Sequence, residues 1–220
     1  MDHIIDGVLK FQREVFPNEK ALYRELSIAQ APEAMFIGCS DSRVVPELLT
    51  QQGPGGLFVV RNAGNIVPPH GPEPGGVTAS IEYAVSVLGI RDIVLCGHSG
   101  CGAMTALVNG IDKIDKLDQL PAVAKWLHYA DGALSAIADP KKFQTDAERL
   151  NAVVHENVLT QLDNLLTHRV VHNAIDAGQL RLHGWVYDIA SGAVETYDAQ
   201  SQRFVALSAA PFASATPEAV

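Results

Sequence analysis

The residues best equipped for chemistry stand in Cys39-Ser40-Asp41-Ser42-Arg43, just after the apolar run Ala34-Met35-Phe36-Ile37-Gly38. A soft metal ligand, a carboxylate and a guanidinium occupy alternate positions, and in an extended segment alternate side chains share a face. A second cluster, His98-Ser99-Gly100-Cys101-Gly102, follows the apolar run Ile93-Val94-Leu95-Cys96. Two thiols and an imidazole make a Cys2His set, which holds zinc while leaving its fourth tetrahedral position open. Catalytic zinc on Cys39, His98 and Cys101 is therefore expected.

The elements that must position these groups alternate between strand and helix patterns. Residues 34–39, 57–62 and 92–97 read as buried strands, and 181–189 as a last one. Helical patterns cover 3–27 with a break at Pro17, a short stretch from Pro46, and 77–88. They return at 100–109 with a stop at Gly110, at 121–138 and at 146–176. Residues 67–76, rich in Pro and Gly, form a loop, and the Ala, Ser and Pro tail from Ser208 is expected to be mobile. With no repeat and no interdomain linker, the pattern predicts an α/β fold. It is a single domain over 1–207 with a central, mostly parallel sheet flanked by helices. Residues 1–27 would form an amino-terminal helical arm whose apolar face carries Ile4, Ile5, Val8, Leu9, Val15 and Phe16. In such sheets ligands bind beyond the carboxyl ends of the strands, where the strand order reverses. Cys39 and His98 both fall there.

Bulk properties narrow the class. The chain has 220 residues, 47% of them hydrophobic, and a net charge of −9 without a Lys/Arg block. Nucleic acid and anionic membrane are poor partners for such a surface, and no apolar run is long enough to span a bilayer. The acidic start Met1-Asp2-His3-Ile4-Ile5-Asp6 does not resemble a secretory signal. Three cysteines suit free thiols in a reducing cytoplasm better than a disulfide framework.

Competing readings weaken on inspection. Cys96 sits inside an apolar run and reads as core. His168 and His172 are spaced to share a helix face, but no thiol or carboxylate stands beside them, so they read as solvated or capping. Gly97-His98-Ser99-Gly100 approaches the G-x-S-x-G nucleophile elbow, yet its fifth position is Cys101, and that reading leaves Cys39, Asp41 and Arg43 unexplained. Neither nucleotide-binding glycine fingerprint is present.

Cys-Ser-Asp-Ser-Arg followed by Gly-His-Ser-Gly-Cys-Gly, with Arg61-Asn62-Ala63-Gly64-Asn65 and Ile81-Glu82-Tyr83-Ala84-Val85 between, resembles the β-class carbonic anhydrases. The match runs from Gln30 to Gly102, with a weaker echo at Gly184-Trp185-Val186-Tyr187-Asp188. The resemblance implies reversible hydration of carbon dioxide to bicarbonate by zinc-bound hydroxide. Zinc would lie on Cys39, His98 and Cys101, and Asp41 either fills the fourth position or pairs with Arg43 as a catalytic dyad. It also implies substrate contacts from Gln30, Phe58, Tyr83 and the Gly102 N–H, and assembly as a homodimer or homotetramer. Some bacterial members carry a Trp three residues before the first zinc cysteine, within a regulatory bicarbonate site. Here that position is Phe36, while Arg61 and Tyr187 match the rest, and a constitutively competent enzyme is expected. Offshoots that hydrolyse carbon disulfide or carbonyl sulfide share the ligands, and a non-catalytic zinc- or bicarbonate-binding assembly protein is the remaining alternative.

Overall fold

Short apolar runs bounded by Gly, Pro and charged residues form the strands of the structure, a computed structural model that describes residues 1–72, 75–115 and 117–208. Strands β1 (Ala34–Cys39), β2 (Leu57–Asn62), β3 (Asp92–His98), β4 (Arg181–Tyr187), β5 (Val194–Asp198) and β6 (Arg203–Ala206) build one sheet in the order β2-β1-β3-β4-β5-β6. The first four are parallel, and β4-β5-β6 run antiparallel. β1 and β3 are buried along nearly their whole length, as expected of central parallel strands covered on both faces. The expected last strand at 181–189 is instead followed by two more. From residue 209 on, the tail falls outside the described residues.

Chain direction away from β1 reverses between its neighbours: β2 lies on one side and β3 on the other. That is the topological switch point, and Cys39 ends β1 there as His98 ends β3.

In chain order the helices are α1 (Asp2–Lys10), α2 (Lys20–Leu26), α3 (Pro46–Thr50), α4 (Gly76–Glu82), α5 (Gly102–Asn109), α6 (Pro121–Leu127), α7 (Asp146–Leu166) and α8 (Arg169–Asp176). α7 is the central one. Its N-cap Thr145 accepts the Glu148 N–H at 3.1 Å, while the Glu148 carboxylate accepts the Gln144 N–H at 2.8 Å. It lies tight on β3 and β4 because Gly97 and Gly184 face it: a Cβ on either would come within 2.9 Å of Val158. The main core joins α7 to Met35, Ile37, Ile93, Leu95 and Val186 of the sheet. A smaller cluster of Phe36, Val94 and Cys96 fills the opposite face with Leu49 and Trp185.

Two helical expectations need correction. The stretch 146–176 divides at Thr167-His168, and 121–138 passes from α6 into tighter 3-10 turns over His128–Ile137. The arm breaks as Pro17 demands, with Phe11, Phe16 and Tyr23 clustered at the bend. No residue of α1 is buried, and Ile4, Ile5 and Val8 are about half exposed.

Candidate metal centre

Where β1 and β3 end side by side, Cys39, His98 and Cys101 converge. All three are buried, and one ligand atom from each lies within 4.8 Å of the others. Cys101 is delivered by the turn after β3, as the N-cap residue of α5. His98 Nδ1 lies 3.0 Å from the Ser99 carbonyl, so Nδ1 carries the proton and Nε2 the free lone pair. That carbonyl is itself held, since the Ser99 N–H donates to the Tyr187 carbonyl at 2.9 Å and the Ser99 hydroxyl accepts the Ile189 N–H at 3.0 Å. Nε2 is buried with no hydrogen-bond partner among the described residues. A lone pair left bare among two sulfurs is costly unless a cation takes it, and a Cys2His donor set fits zinc.

The thiols are not equivalent. The Cys39 sulfur accepts backbone N–H groups from Asp41 and Gly64, each at 3.4 Å. Hydrogen bonding from Cys101 and from these two amides outweighs burial and holds the Cys39 pKa below the ordinary thiol range. Cys101 is pushed well above the ordinary thiol range by its neighbour Cys39 and by burial. A divalent cation bound here requires both sulfurs as thiolates, so its uptake releases the proton the pair shares. Cys96 lies outside this group. It is buried in the core as expected, and burial pushes its thiol up to about 12.

Asp41 and Arg43 form a bidentate pair, Nε to Oδ1 at 2.9 Å and Nη2 to Oδ2 at 2.7 Å. Nη2 also donates to the Gly100 carbonyl at 3.1 Å, tying the β1 loop to the β3 loop. The guanidinium holds the Asp41 carboxyl far below the usual carboxylate range. Asp41 stands beside this group of three, Oδ2 lying 3.9 Å from His98 Nε2. Arg61 donates to the carbonyls of Cys39 at 2.9 Å and Asp41 at 2.6 Å, which braces the same loop.

The remaining expected site residues are less gathered. Phe58 and Tyr83 stack with centroids 6.0 Å apart, and Tyr83 is 44% exposed. Gly102 is exposed at the first position of α5, where a backbone N–H has no intrahelical acceptor. Gln30 is exposed, and its side chain makes no hydrogen bond among the described residues. A cleft of about 500 Å³ lined by Pro68, Pro69, Val77, Trp126 and Tyr129 contains none of these residues. Phe36 packs edge-on against Trp185, 6.5 Å between centroids. His168 is buried at the N-cap position of α8, where its carbonyl accepts the first helical N–H groups and its Nε2 lies 3.0 Å from the Pro68 carbonyl, while His172 is exposed.

Sequence reading missed the supports behind this group: the Ser99 carbonyl, and the buried amides Asn157 and Gln161 of α7. The latter had a signal. Val153, Val154, Val158 and Leu165 define the buried face of α7, and Asn157 and Gln161 fall on it by helical spacing.

A protein-family model described as "Carbonic anhydrase" matches residues 34–194. A Pseudomonas aeruginosa protein named "Carbonic anhydrase" is 56% identical over 211 residues, which are 96% of this chain and 94% of the relative. Among solved structures, the β-carbonic anhydrase CcaA matches with a TM-score of 0.88 at 42% identity, covering 94% of this chain and 99% of that one. A structure from a study of two tetrameric β-carbonic anhydrases of Sordaria macrospora matches at 0.71 and 30% identity, over 89% of this chain and 92% of that one.

Proposed function

Because the chain belongs to the β-class carbonic anhydrase family, we propose that it interconverts carbon dioxide and bicarbonate at a zinc held by Cys39, His98 and Cys101. The observation that carries the ligand assignment is the bare, buried Nε2 of His98 beside two thiols. Zinc, when bound there, makes water acidic enough to supply a nucleophile near neutral pH. Asp41 stays ionised under its Arg43 partner and can only accept a hydrogen bond, so it orients the attacking oxygen through that oxygen's remaining hydrogen. Arg43 engages both Asp41 oxygens and so competes with the metal for them, and Arg61 fixes the loop carrying both.

The substrate pocket is assigned to Phe58, Tyr83, Gln30 and the Gly102 N–H, and it is closed by a second copy of the chain. Its support is the half-exposed Tyr83 together with α1, which buries nothing of its own and presents Ile4, Ile5 and Val8. Residues 1–207 act as one zinc-enzyme domain, as a homodimer or a pair of dimers. No described helix is long and apolar enough to cross a membrane, and three reduced cysteines suit the cytoplasm. Phe36 fills its site against Trp185 and both donors of Arg61 that reach the loop are engaged, which favours an enzyme without bicarbonate inhibition away from the metal.

Stopped-flow hydration of carbon dioxide, on protein whose zinc is quantified, tests the assignment. Rates should scale with zinc content up to one per chain. Fully loaded protein with no hydration above buffer overturns it and leaves the sulfur-substrate or assembly readings.

A further inference from the structure

The segment after β2 is bonded to α7 along most of its length. The Asn157 side-chain amide donates to the Gly64 carbonyl at 3.1 Å. Gln161 accepts the Val67 N–H at 2.9 Å and donates to Asn157 Oδ1 at 3.0 Å and to the Tyr129 carbonyl at 3.1 Å. Asn164 donates to the Val67 carbonyl at 2.9 Å and to Gln161 Oε1 at 3.1 Å. Asn157 and Gln161 are essentially fully buried, in a helix face otherwise apolar. Removing such amides from water is unfavourable unless each finds partners, so their presence asks what they hold.

They hold, from the side of α7, a turn that the Asn62 side chain brackets from within, accepting the Ile66 N–H at 2.7 Å and donating to the Ile66 carbonyl at 2.8 Å. Gly64 (φ +81°) and Asn65 (φ +47°) are successive left-handed residues, a conformation that disfavours itself outside glycine. An alanine Cβ at Gly64 would lie 2.9 Å from the Ala103 Cβ. The product of this turn is one N–H: that of Gly64, aimed at the Cys39 sulfur.

We propose that Asn157 and Gln161 are positioning residues for the Cys39 thiolate, gripping the 64–67 turn so that the Gly64 N–H stays on the metal-ligating sulfur. This rests on Cys39 being a zinc ligand. An N–H donor to a metal thiolate drains its negative charge and fixes the direction of its lone pairs. Its loss alters how the metal is held without removing a ligand.

The test compares Asn157→Asp, which turns an oxygen toward the Gly64 carbonyl, and Gln161→Glu, which loses both donors but retains the acceptor for Val67. Val153→Ala serves as a cavity control on the same buried helix face. Zinc transfer to a chelator should be about 10–100-fold faster in Asn157→Asp and less so in Gln161→Glu. Cobalt-substituted Asn157→Asp should also show a shifted thiolate-to-cobalt charge-transfer band. Val153→Ala should lower thermal stability while leaving transfer and spectrum at wild-type values. If Asn157→Asp does not fold, Asn157→Ala carries the same expectation. Wild-type transfer and spectrum in the Asn157 variant overturn the proposal, as does Val153→Ala moving both equally. A wild-type chain that takes up neither zinc nor cobalt would instead remove the zinc reading, and this proposal with it.

Discussion

Two carboxylate–guanidinium pairs sit at opposite ends of the parallel strands, and their metrics are nearly interchangeable. Arg43 grips Asp41 at 2.9 and 2.7 Å, and Arg181 grips Asp92 at 2.8 and 2.7 Å. The side chains are 51% and 17% exposed in the first pair and 56% and 22% in the second. What differs is the neighbourhood. Asp92 takes a third hydrogen bond from His183 at 2.7 Å, and the pair ties the start of β3 to the start of β4. Asp41 stands 3.9 Å from an imidazole nitrogen that, grouped with two thiols, has no partner among the described residues. A bidentate pair is a fastener wherever it occurs. It belongs to a reaction centre only where groups nearby have been left wanting.

The sharpest way to break this comparison is to remove the wanting groups. Cys39→Ser and His98→Ala should each lose zinc and activity together, by about a thousandfold or more in kcat/KM, because without the metal the nucleophile reverts toward the acidity of bulk water. Elemental analysis beside hydration rates checks this. A variant with full metal and full rate would show that its residue is no ligand.

The next largest effect separates the two arginines. Arg43→Ala should retain zinc yet lose about a hundredfold in kcat, since Asp41 is then free to turn to the metal or away from the nucleophile. Arg181→Ala should keep kcat within about twofold, because its carboxylate touches nothing reactive. Equal losses in both would mean that Arg43 acts only as Arg181 does, by fastening the fold.

This contrast also explains what the sequence disclosed. The β1 and β3 ends were legible because apolar runs stop abruptly at residue types that do not belong in cores, and the topological rule for parallel sheets then brings Cys39 and His98 together. The Asp41–Arg43 pair was legible because both members share one short segment. The Asp92–Arg181 pair was not, since its members are 89 residues apart and meet only through strand register. β5 and β6 escaped notice because Val194–Asp198 and Arg203–Ala206 are short and half polar, strands that exist by pairing in sequence along the sheet edge. The helix break at Thr167-His168 lacks Gly or Pro, and the buried amides of α7 were hidden because hydrophobic periodicity counts polar residues as outward-facing.

The smallest effect concerns acid, and it turns on the sign of one shift. Burial raises the Asp92 pKa, but hydrogen bonds and charge from Arg181 and His183 outweigh it, and the carboxyl ends below its ordinary value. A carboxylate depressed in the folded state stabilises fully above its unfolded pKa of about 3.9, and that contribution fades as pH falls through the folded value. Asp92→Asn should therefore cost about 1 kcal/mol near neutrality, a figure kept low because the pair is partly solvent-screened. The deficit should hold as pH falls to about 5 and shrink below about 4, where the wild-type carboxyl also becomes protonated. Zinc loss in acid would mask so small a term. The comparison is therefore best made by urea unfolding in a Cys39→Ser background, expected to lack metal at every pH. There the two curves should converge on acidification. Curves that stay parallel to pH 3 would mean that Asp92 holds β3 and β4 through its shape rather than its charge, and that the two pairs differ more than their distances suggest.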